Sequence, residues 1–340
     1  MKKFLTILLT AIIAATAAGL FACAKNDNTG DNGEKPAPAE PVSLSFYMPD
    51  GAPALSVAKF VNDKENFGVE NLTMNYNVVS ATEINNAILK NHGDFVIMPV
   101  NAATKLYTNN GGENYKLAAV VTHGNFYVMT KDESVKTAND LVGRVVFVPQ
   151  KGKVPDFTFL AALKNLGIEY EESDTPVAGK VALKYYAQPS DFNKLLLTDG
   201  AAIGLVPEPA ASVLKSKGVF AALDLQKMYD EKNASYPQAA LMVKESVTAK
   251  FPELVEKIGA SFGENADWAK ENPAEAVNAV KSVYEQTSLN AATINSDTIK
   301  GCKIFWQDSA AAKEELNAYI AAIRAITESA ANVVPEEFYL

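Results

Sequence analysis

Two polar side chains stand in matching segments of the sequence, one aligned position apart, and each segment follows a short apolar run. Asn101 lies in P-V-N-A-A-T-K-L (99–106) and Glu208 lies in P-E-P-A-A-S-V-L (207–214), so both segments fit P-x-x-A-A-[ST]-x-L. An amide and a carboxylate bind small polar molecules by hydrogen bonds. In open α/β sheets, ligands bind where a strand ends and the next helix begins. The repeat therefore predicts a ligand cleft between two α/β lobes, with chance similarity in an alanine-rich chain as the alternative.

Charged residues in two further turns are candidates for ligand contact. Asp50 precedes Gly51, so it either contacts a ligand or only forms an Asp-Gly turn. Lys151 and Lys153 stand ahead of a predicted helix whose first turn holds Pro155. Free N–H groups at a helix start, with lysines beside them, favour an anion or a carbonyl group. The alternative is that both lysines are solvated loop charges.

A third group of candidates lies near two predicted passages of the chain between the lobes. Gly124 and Asn125 follow His123 between two strand-like runs, and they either line the cleft or form a hinge. Tyr236 stands near the second passage. Its ring either stacks on a planar ligand or belongs to the core.

The spacing of apolar residues predicts strands and helices that alternate along the chain. Phe95 to Met98 form a continuous apolar run, typical of a strand buried on both faces, and Pro99 ends it. Asn101 is predicted to cap the next helix, and Ser80 with Glu83 predicts a capping box. This alternation predicts two mostly parallel sheets covered by helices.

The alternation breaks near residues 122–130 and again near residues 233–240. We therefore predict that residues 42–125 and 238–340 form one lobe and residues 126–237 the other, joined by a two-strand hinge. About 300 residues suffice for two modest domains.

The first 41 residues indicate export. Lys2 and Lys3 precede a long apolar run, which predicts a signal peptide over residues 1–22. Cys23 follows directly, so this segment resembles a bacterial lipoprotein signal with Cys23 as the lipidated residue. Residues 24–41 are polar and rich in Gly and Pro, as in a flexible tether. An uncleaved membrane anchor is the alternative, and either one holds the exported protein at the outer face of the cytoplasmic membrane.

Composition argues against several other functions. The 340 residues carry a net charge of −9 with no basic run, which argues against nucleic-acid binding. The two histidines, His92 and His123, have no metal-ligand spacing, and no cofactor is expected. Cys302 is the one cysteine left after Cys23, so the core must hold the fold. A G-x-S-x-G match at 259–263 falls in a predicted helix, whereas a nucleophile elbow follows a strand. An enzyme is therefore not predicted.

The ordered combination of G-A-P-A…A-K, D-F-V-I-M-P-V-N-A-A, V-P-D-F-T-F and P-E-P-A-A resembles one family over residues 42–340. The family comprises the ABC-transporter substrate-binding lipoproteins for nitrate, sulfonates, taurine or thiamine precursors. The resemblance implies the two-lobed type II periplasmic-binding-protein fold, a monomer, and an ABC-type permease with its ATPase as partners. It implies a small organic ligand, either a heteroaromatic vitamin precursor or a sulfonate-like compound.

Together, the resemblance and the residue patterns predict thirteen ligand-binding residues: Asp50, Gly51, Pro53, Pro99, Asn101, Gly124, Asn125, Lys151, Gly152, Lys153, Val154, Glu208 and Tyr236. Two other functions stay open at this level. One is a ligand-sensing subunit of a membrane receptor. The other is an enzyme on the same fold that makes a pyrimidine precursor, although its cysteine-rich stretch and histidines are missing here.

Overall fold

Short apolar runs form the strands of a computed structural model, which describes residues 40–109, 112–186 and 189–340. Cys23, the predicted signal peptide and the predicted tether up to residue 39 lie outside the described residues. The strands are, in chain order, β1 (Val42–Met48), β2 (Leu72–Val78), β3 (Phe95–Pro99), β4 (Tyr115–His123), β5 (Phe126–Thr130), β6 (Val145–Pro149), β7 (Tyr170–Glu172), β8 (Val181–Tyr186), β9 (Ile203–Pro207), β10 (Phe220–Asp224), β11 (Pro237–Lys244) and β12 (Ile304–Asp308).

The strands form two six-stranded sheets, and both sheets are mixed. Their orders are β12-β4-β11-β3-β1-β2 and β10-β5-β9-β6-β8-β7. In the first sheet β1 pairs parallel with β2 and β3, whereas β4, β11 and β12 join by antiparallel pairs. The prediction of mostly parallel sheets is therefore wrong for this sheet. The physical reason is that β11 returns from the second sheet and runs opposite to its neighbours β3 and β4. In the second sheet β6, β7, β8 and β9 are linked by parallel pairs, and β5 and β10 by antiparallel ones.

Helices cover both sheets. They are α1 (Ala52–Leu55), α2 (Ala58–Asp63), α3 (Ala81–Leu89), α4 (Val100–Thr108), α5 (Val154–Asn165), α6 (Pro189–Thr198), α7 (Ala210–Lys215), α8 (Leu225–Tyr229), α9 (Glu245–Lys250), α10 (Leu254–Glu271), α11 (Pro273–Val283), α12 (Ser296–Gly301) and α13 (Ser309–Arg324). The predicted capping box is confirmed at α3, where the Ser80 hydroxyl and the Glu83 carboxylate bond each other's backbone N–H groups.

The core lies on both faces of the first sheet. Val96 and Met98 of β3 belong to one buried cluster, and Phe95 and Ile97 belong to another. The predicted buried strand is therefore confirmed, and β3 ends at Pro99 as expected. The first cluster continues into the second sheet, where it includes Val146 and Leu205. The described residues beyond position 39 accordingly form one compact unit.

The chain passes from the first sheet to the second between β4 and β5, through Gly124 and Asn125. It returns through α8 and residues 230–236. The second connection is therefore a helix and a loop, whereas the predicted two-strand hinge required a strand. The predicted limits of the two lobes stay a prediction. None of the helices described here is long and apolar enough to cross a bilayer.

Candidate functional site

The first passage between the sheets is bonded to the returning chain at Gly124. Its N–H group donates to the carbonyl oxygen of Tyr236 over 2.9 Å. A Cβ atom at Gly124 would lie 2.2 Å from the Tyr236 ring, so only glycine fits while that ring keeps its place. His123, the residue before Gly124, pairs across the first sheet with Pro237, the residue after Tyr236. The two connections between the sheets therefore run side by side.

The next two residues fix two further segments to the same place. The carbonyl oxygen of Asn125 accepts from the N–H group of Glu208 over 2.9 Å. The N–H group of Phe126 donates to Oε1 of Gln226 over 3.0 Å. The structure thus joins four of the predicted residues and adds two that were not among them, Phe126 and Gln226. The crossing junction is defined by Gly124, Asn125, Phe126, Glu208, Gln226 and Tyr236.

Three side chains of the crossing junction carry a buried polar atom that has no hydrogen-bond partner in the described part of the chain. The atoms are Oδ1 of Asn125, Nε2 of Gln226 and Oη of Tyr236. The exposed fraction is 1% for Asn125, 1% for Gln226 and 0% for Tyr236. Buried polar atoms almost always bond to protein, ordered water or a ligand. The crossing junction therefore offers hydrogen-bonding groups to a molecule other than the protein.

Three residues of the first sheet, next to the crossing junction, also carry unpaired buried polar atoms. Thr122 Oγ1, His123 Nδ1 and Gln238 Oε1 are also buried atoms without a hydrogen-bond partner among the described residues. Gln238 lies between Pro237 and Ala239, which pair with His123 and Thr122. The sequence carried no signal for Gln226 or Gln238, because a buried glutamine looks like a surface glutamine until its partners are known.

The Tyr236 ring packs in a cluster of three tyrosines. It stacks on Tyr319 of α13 with ring centroids 5.8 Å apart, and Tyr229 meets both rings edge-on. Burial raises the pKa of Tyr236 well above its ordinary value, with Thr158 acting slightly in the opposite direction. The Thr158 hydroxyl is already bonded to Tyr319 Oη at 2.8 Å and to the carbonyl oxygen of Val154 at 2.7 Å. Tyr236 Oη itself makes no hydrogen bond to any described residue.

Glu208 is buried at the start of the second repeated turn. Its carboxylate accepts from the backbone N–H and the hydroxyl of Ser212, both at 2.9 Å, and lies 3.4 Å from Nζ of Lys215. On its other side a Cβ atom added to Gly301 would lie 3.0 Å from Glu208 Cγ. Burial raises the pKa of Tyr127 to about 12, with smaller effects from the carboxylates of Asp224 and Glu208. Glu208 is thus a buried carboxylate within the crossing junction.

Asp50 has its bonds within the protein. Its carboxylate accepts from the hydroxyl of Thr287 at 2.6 Å, and from the N–H and the hydroxyl of Ser288 at 2.7 Å. Gly51 has a φ of 91°, which favours glycine, and Pro53 lies in the first turn of α1. The ligand roles of these three residues stay a prediction.

Asn101 does not cap α4, so that prediction is wrong. The helix begins at Val100 with Pro99 at the N-cap position, and Asn101 lies inside the first turn. Its side chain is buried and Nδ2 donates to the carbonyl oxygen of Ala330 over 3.1 Å. The Asn101 amide group is therefore bonded to the segment near the C-terminus and not to the N-terminus of α4. The ligand roles of Pro99 and Asn101 are untested by this geometry.

The helix start at residues 151–154 is confirmed in position, since α5 begins at Val154 with Lys153 as the N-cap. The buried Asp156 carboxylate accepts from the N–H of Gly152 at 2.7 Å, and burial raises its pKa. The ammonium of Lys151 forms an ion pair with Glu172. Lys151, Gly152 and Lys153 are exposed and Val154 is buried. Within the described chain, no hydrogen bond or ion pair joins the three exposed residues to the crossing junction, and their ligand role stays a prediction.

Two shallow hollows lie elsewhere on the surface. One is lined by residues near Glu133 and Phe220, and the other by residues near Lys164 and Tyr170. Neither includes a predicted ligand-binding residue. In the described ranges, no three His, Cys, Asp or Glu side chains are grouped to hold a metal ion.

Two mixed sheets flanked by helices define the α/β fold of two-lobed periplasmic-binding proteins, and solved structures share it. An ABC transporter protein from Parabacteroides distasonis aligns with a TM-score of 0.70 at 17% identity, over 88% of this chain and 99% of that one. The periplasmic aliphatic sulphonate-binding protein SsuA from Escherichia coli aligns with a TM-score of 0.61 at 12% identity, over 85% and 93%. The zinc-bound ligand-binding component of an ABC-type import system from Staphylococcus aureus gives 0.55 at 11%, over 87% and 98%.

The predicted two-lobed fold is confirmed by these similarities. At such low identity they show the fold and leave the ligand open. No protein-family model and no curated protein matches the sequence.

Proposed function

We propose that this protein is an exported solute-binding lipoprotein that holds a small organic ligand between its two lobes and delivers it to an ABC-type permease. One observation carries the proposal: Asn125, Gln226 and Tyr236 present unpaired buried polar atoms where the chain passes between the sheets. Each such atom destabilises the folded protein by about 1–3 kcal/mol when it stays unpaired. A ligand that bonds to all three recovers this free energy on binding.

The fold supports the same role. In two-lobed proteins of this architecture, hinge closure brings residues of both lobes around a ligand. We place residues 42–125 and 238–340 in one lobe and 126–237 in the other, so the crossing junction lies at their border. Binding without chemical conversion suffices for this role, and the crossing junction holds no nucleophile paired with a base.

Two ligand classes agree with the proposal at this level. The buried polar atoms of residues 125, 226 and 236 favour a nitrogenous heteroaromatic compound such as a vitamin precursor, which offers both donors and acceptors. A sulfonate-like compound is favoured by the similarity of fold to a sulphonate-binding protein.

The test begins with the molecule that the protein carries. Small molecules released from gently purified full-length protein are identified by mass spectrometry, and the identified compound is titrated by calorimetry. We expect binding that weakens roughly tenfold or more in Asn125→Ala and in Tyr236→Phe, since each loses one buried hydrogen bond to the ligand. Asn233→Ala, at an exposed position, is the matched control. Unchanged affinity in both junction variants would remove the ligand from this place.

The anchor and the transport partner are tested separately. Cys23→Ser is expected to abolish incorporation of labelled fatty acid in growing cells, whereas the parent protein is labelled.

The membrane complex captured with the parent protein is expected to contain a permease and its ATPase. Recovery of a receptor kinase in their place would assign the protein to ligand sensing. A monomer is expected by size-exclusion chromatography with light scattering.

A further inference from the structure

Carboxylates surround the crossing junction on three sides. Glu208 belongs to it, and Asp224 accepts from the backbone N–H of Gln226 over 2.9 Å. Glu315 of α13 accepts from the hydroxyl of Ser235, the residue before Tyr236, over 3.4 Å. Asp224 also contributes to the raised pKa of Tyr236, after the larger effect of burial. The negative charges therefore lie close enough to act on the polar groups that stay unpaired.

One lysine beside the junction is already paired with one of these carboxylates. Lys215 lies 3.4 Å from Glu208 and its Nζ sits 4.6 Å from the centroid of the Tyr127 ring. His123 faces Glu315 at 3.7 Å, and its Nε2 meets Oε1 of Gln307 at 3.0 Å. No lysine or arginine is buried in the part of the chain that the structure describes. An anionic ligand at the junction would therefore meet several carboxylates and no buried lysine or arginine among the described residues.

At Gln226 the donor and the acceptor atoms of the side-chain amide can be assigned. Because Oε1 of Gln226 accepts from the Phe126 N–H, the amide orientation is determined and Nε2 points away as a donor. A molecule at the junction must offer an acceptor to this group. Asn125 Oδ1 can only accept and therefore needs a donor, whereas the Tyr236 hydroxyl can pair with a donor or an acceptor.

We propose that the ligand carries no negative charge and that a neutral acceptor on it, such as a carbonyl oxygen or a ring nitrogen, bonds to Gln226 Nε2. This inference rests on the proposed solute-binding function and deepens it. Of the two ligand classes left open above, it selects a neutral or cationic nitrogenous compound and excludes a sulfonate. It also assigns the specificity to Gln226, a residue without any sequence motif.

The test uses pairs of compounds that share a shape and differ in charge. Full-length protein is dialysed to equilibrium against a defined mixture of benzenesulfonate with benzenesulfonamide, ethanesulfonate with ethanesulfonamide, and nicotinate with nicotinamide. Retained compounds are then quantified by mass spectrometry. We expect the neutral member of a pair to be retained roughly tenfold or more over its anion.

The variant Gln226→Glu keeps an acceptor for the Phe126 N–H and replaces the donor with a second carboxylate oxygen. Retention of the neutral compound is expected to fall roughly tenfold or more, while Gln286→Glu, the same charge change at an exposed position, leaves it unchanged. Preferred retention of the anions would overturn the charge assignment and leave solute binding in place. Equal retention by Gln226→Glu and the parent would overturn the role of Gln226. Retention of no compound would count against both this inference and the proposed function.

Discussion

The two turns that share P-x-x-A-A-[ST]-x-L follow equivalent strands, but their helices start differently: α4 begins at Val100, directly after Pro99, whereas α7 begins at Ala210. Each follows a five-residue strand, β3 or β9, with four buried residues and a final proline. In the first turn the polar side chain of Asn101 is bonded to Ala330 near the C-terminus. In the second, Glu208 is bonded to the start of its own helix, and its backbone N–H reaches the crossing at Asn125. A repeated sequence pattern thus places a turn after each of two equivalent strands, and the second turn joins the crossing junction directly.

The largest effect is expected from a substitution at Gly124, which should change the second turn and leave the first turn unchanged. Gly124→Ala places a methyl group 2.2 Å from the buried Tyr236 ring, so either the ring or the crossing must move. We expect unfolding free energy to fall by about 3 kcal/mol. Hydrogen exchange should rise in residues 207–214 and stay unchanged in residues 99–106.

Gly200→Ala is the matched control, because a Cβ atom there would meet no described atom within 4 Å. Faster exchange in both turns would show that the crossing supports them equally, which contradicts the difference between them.

Next in size is the loss of the Glu208 carboxylate. Glu208→Ala leaves the Ser212 N–H without its acceptor and removes the partner of Lys215. A hydrogen bond to a charged group contributes about 1.5–3 kcal/mol, so we expect a loss of about 2 kcal/mol in chemical denaturation. Glu208→Gln retains one acceptor and should lose about half as much. A stability equal to that of the parent would show Glu208 to be a solvated carboxylate.

A smaller effect is expected at Gly301, which is the residue of α12 that faces Glu208. Its Cβ in Gly301→Ala would lie 3.0 Å from Cγ and 3.2 Å from Oε1 of Glu208, which Ser212 holds in place. We expect a loss of about 1–2 kcal/mol from overpacking.

The control is Gly263→Ala in α10, an exposed helical glycine with space around it, which should gain about 0.5–1 kcal/mol from helix propensity. In the Glu208→Ala background, Gly301→Ala should have no penalty, because the atoms it would meet are gone. A penalty that persists in the double variant would place the conflict elsewhere.

The smallest expected effect is in the first turn. Asn101→Ala removes the bond from Nδ2 to the carbonyl oxygen of Ala330, with an expected loss of about 1 kcal/mol. Hydrogen exchange should rise in residues 328–334 and not in residues 207–214. A response of the second turn to this change would mean that the two turns are coupled through the core.

Local sequence determined the parts of this protein that depend on neighbours along the chain. The buried run of β3 and its end at Pro99, the capping box of Ser80 and Glu83, and the start of α5 at Val154 were all predicted, because propensity and capping act over a few residues. The two passages between the sheets were also located, since turn residues interrupt the apolar pattern there.

Tertiary structure alone decided which polar groups meet. Asn101 bonds a residue 229 positions away, Asp50 bonds residues 237 and 238 positions away, and Gln226 bonds a residue 100 positions away. The mixed order of the first sheet likewise depends on where β11 inserts after its return. The physical reason is that a hydrogen bond between distant segments produces no periodic pattern or fixed spacing in the sequence. In addition, each of these side chains is of a type that also occurs at the surface. The turns could therefore be predicted, but the crossing junction could not.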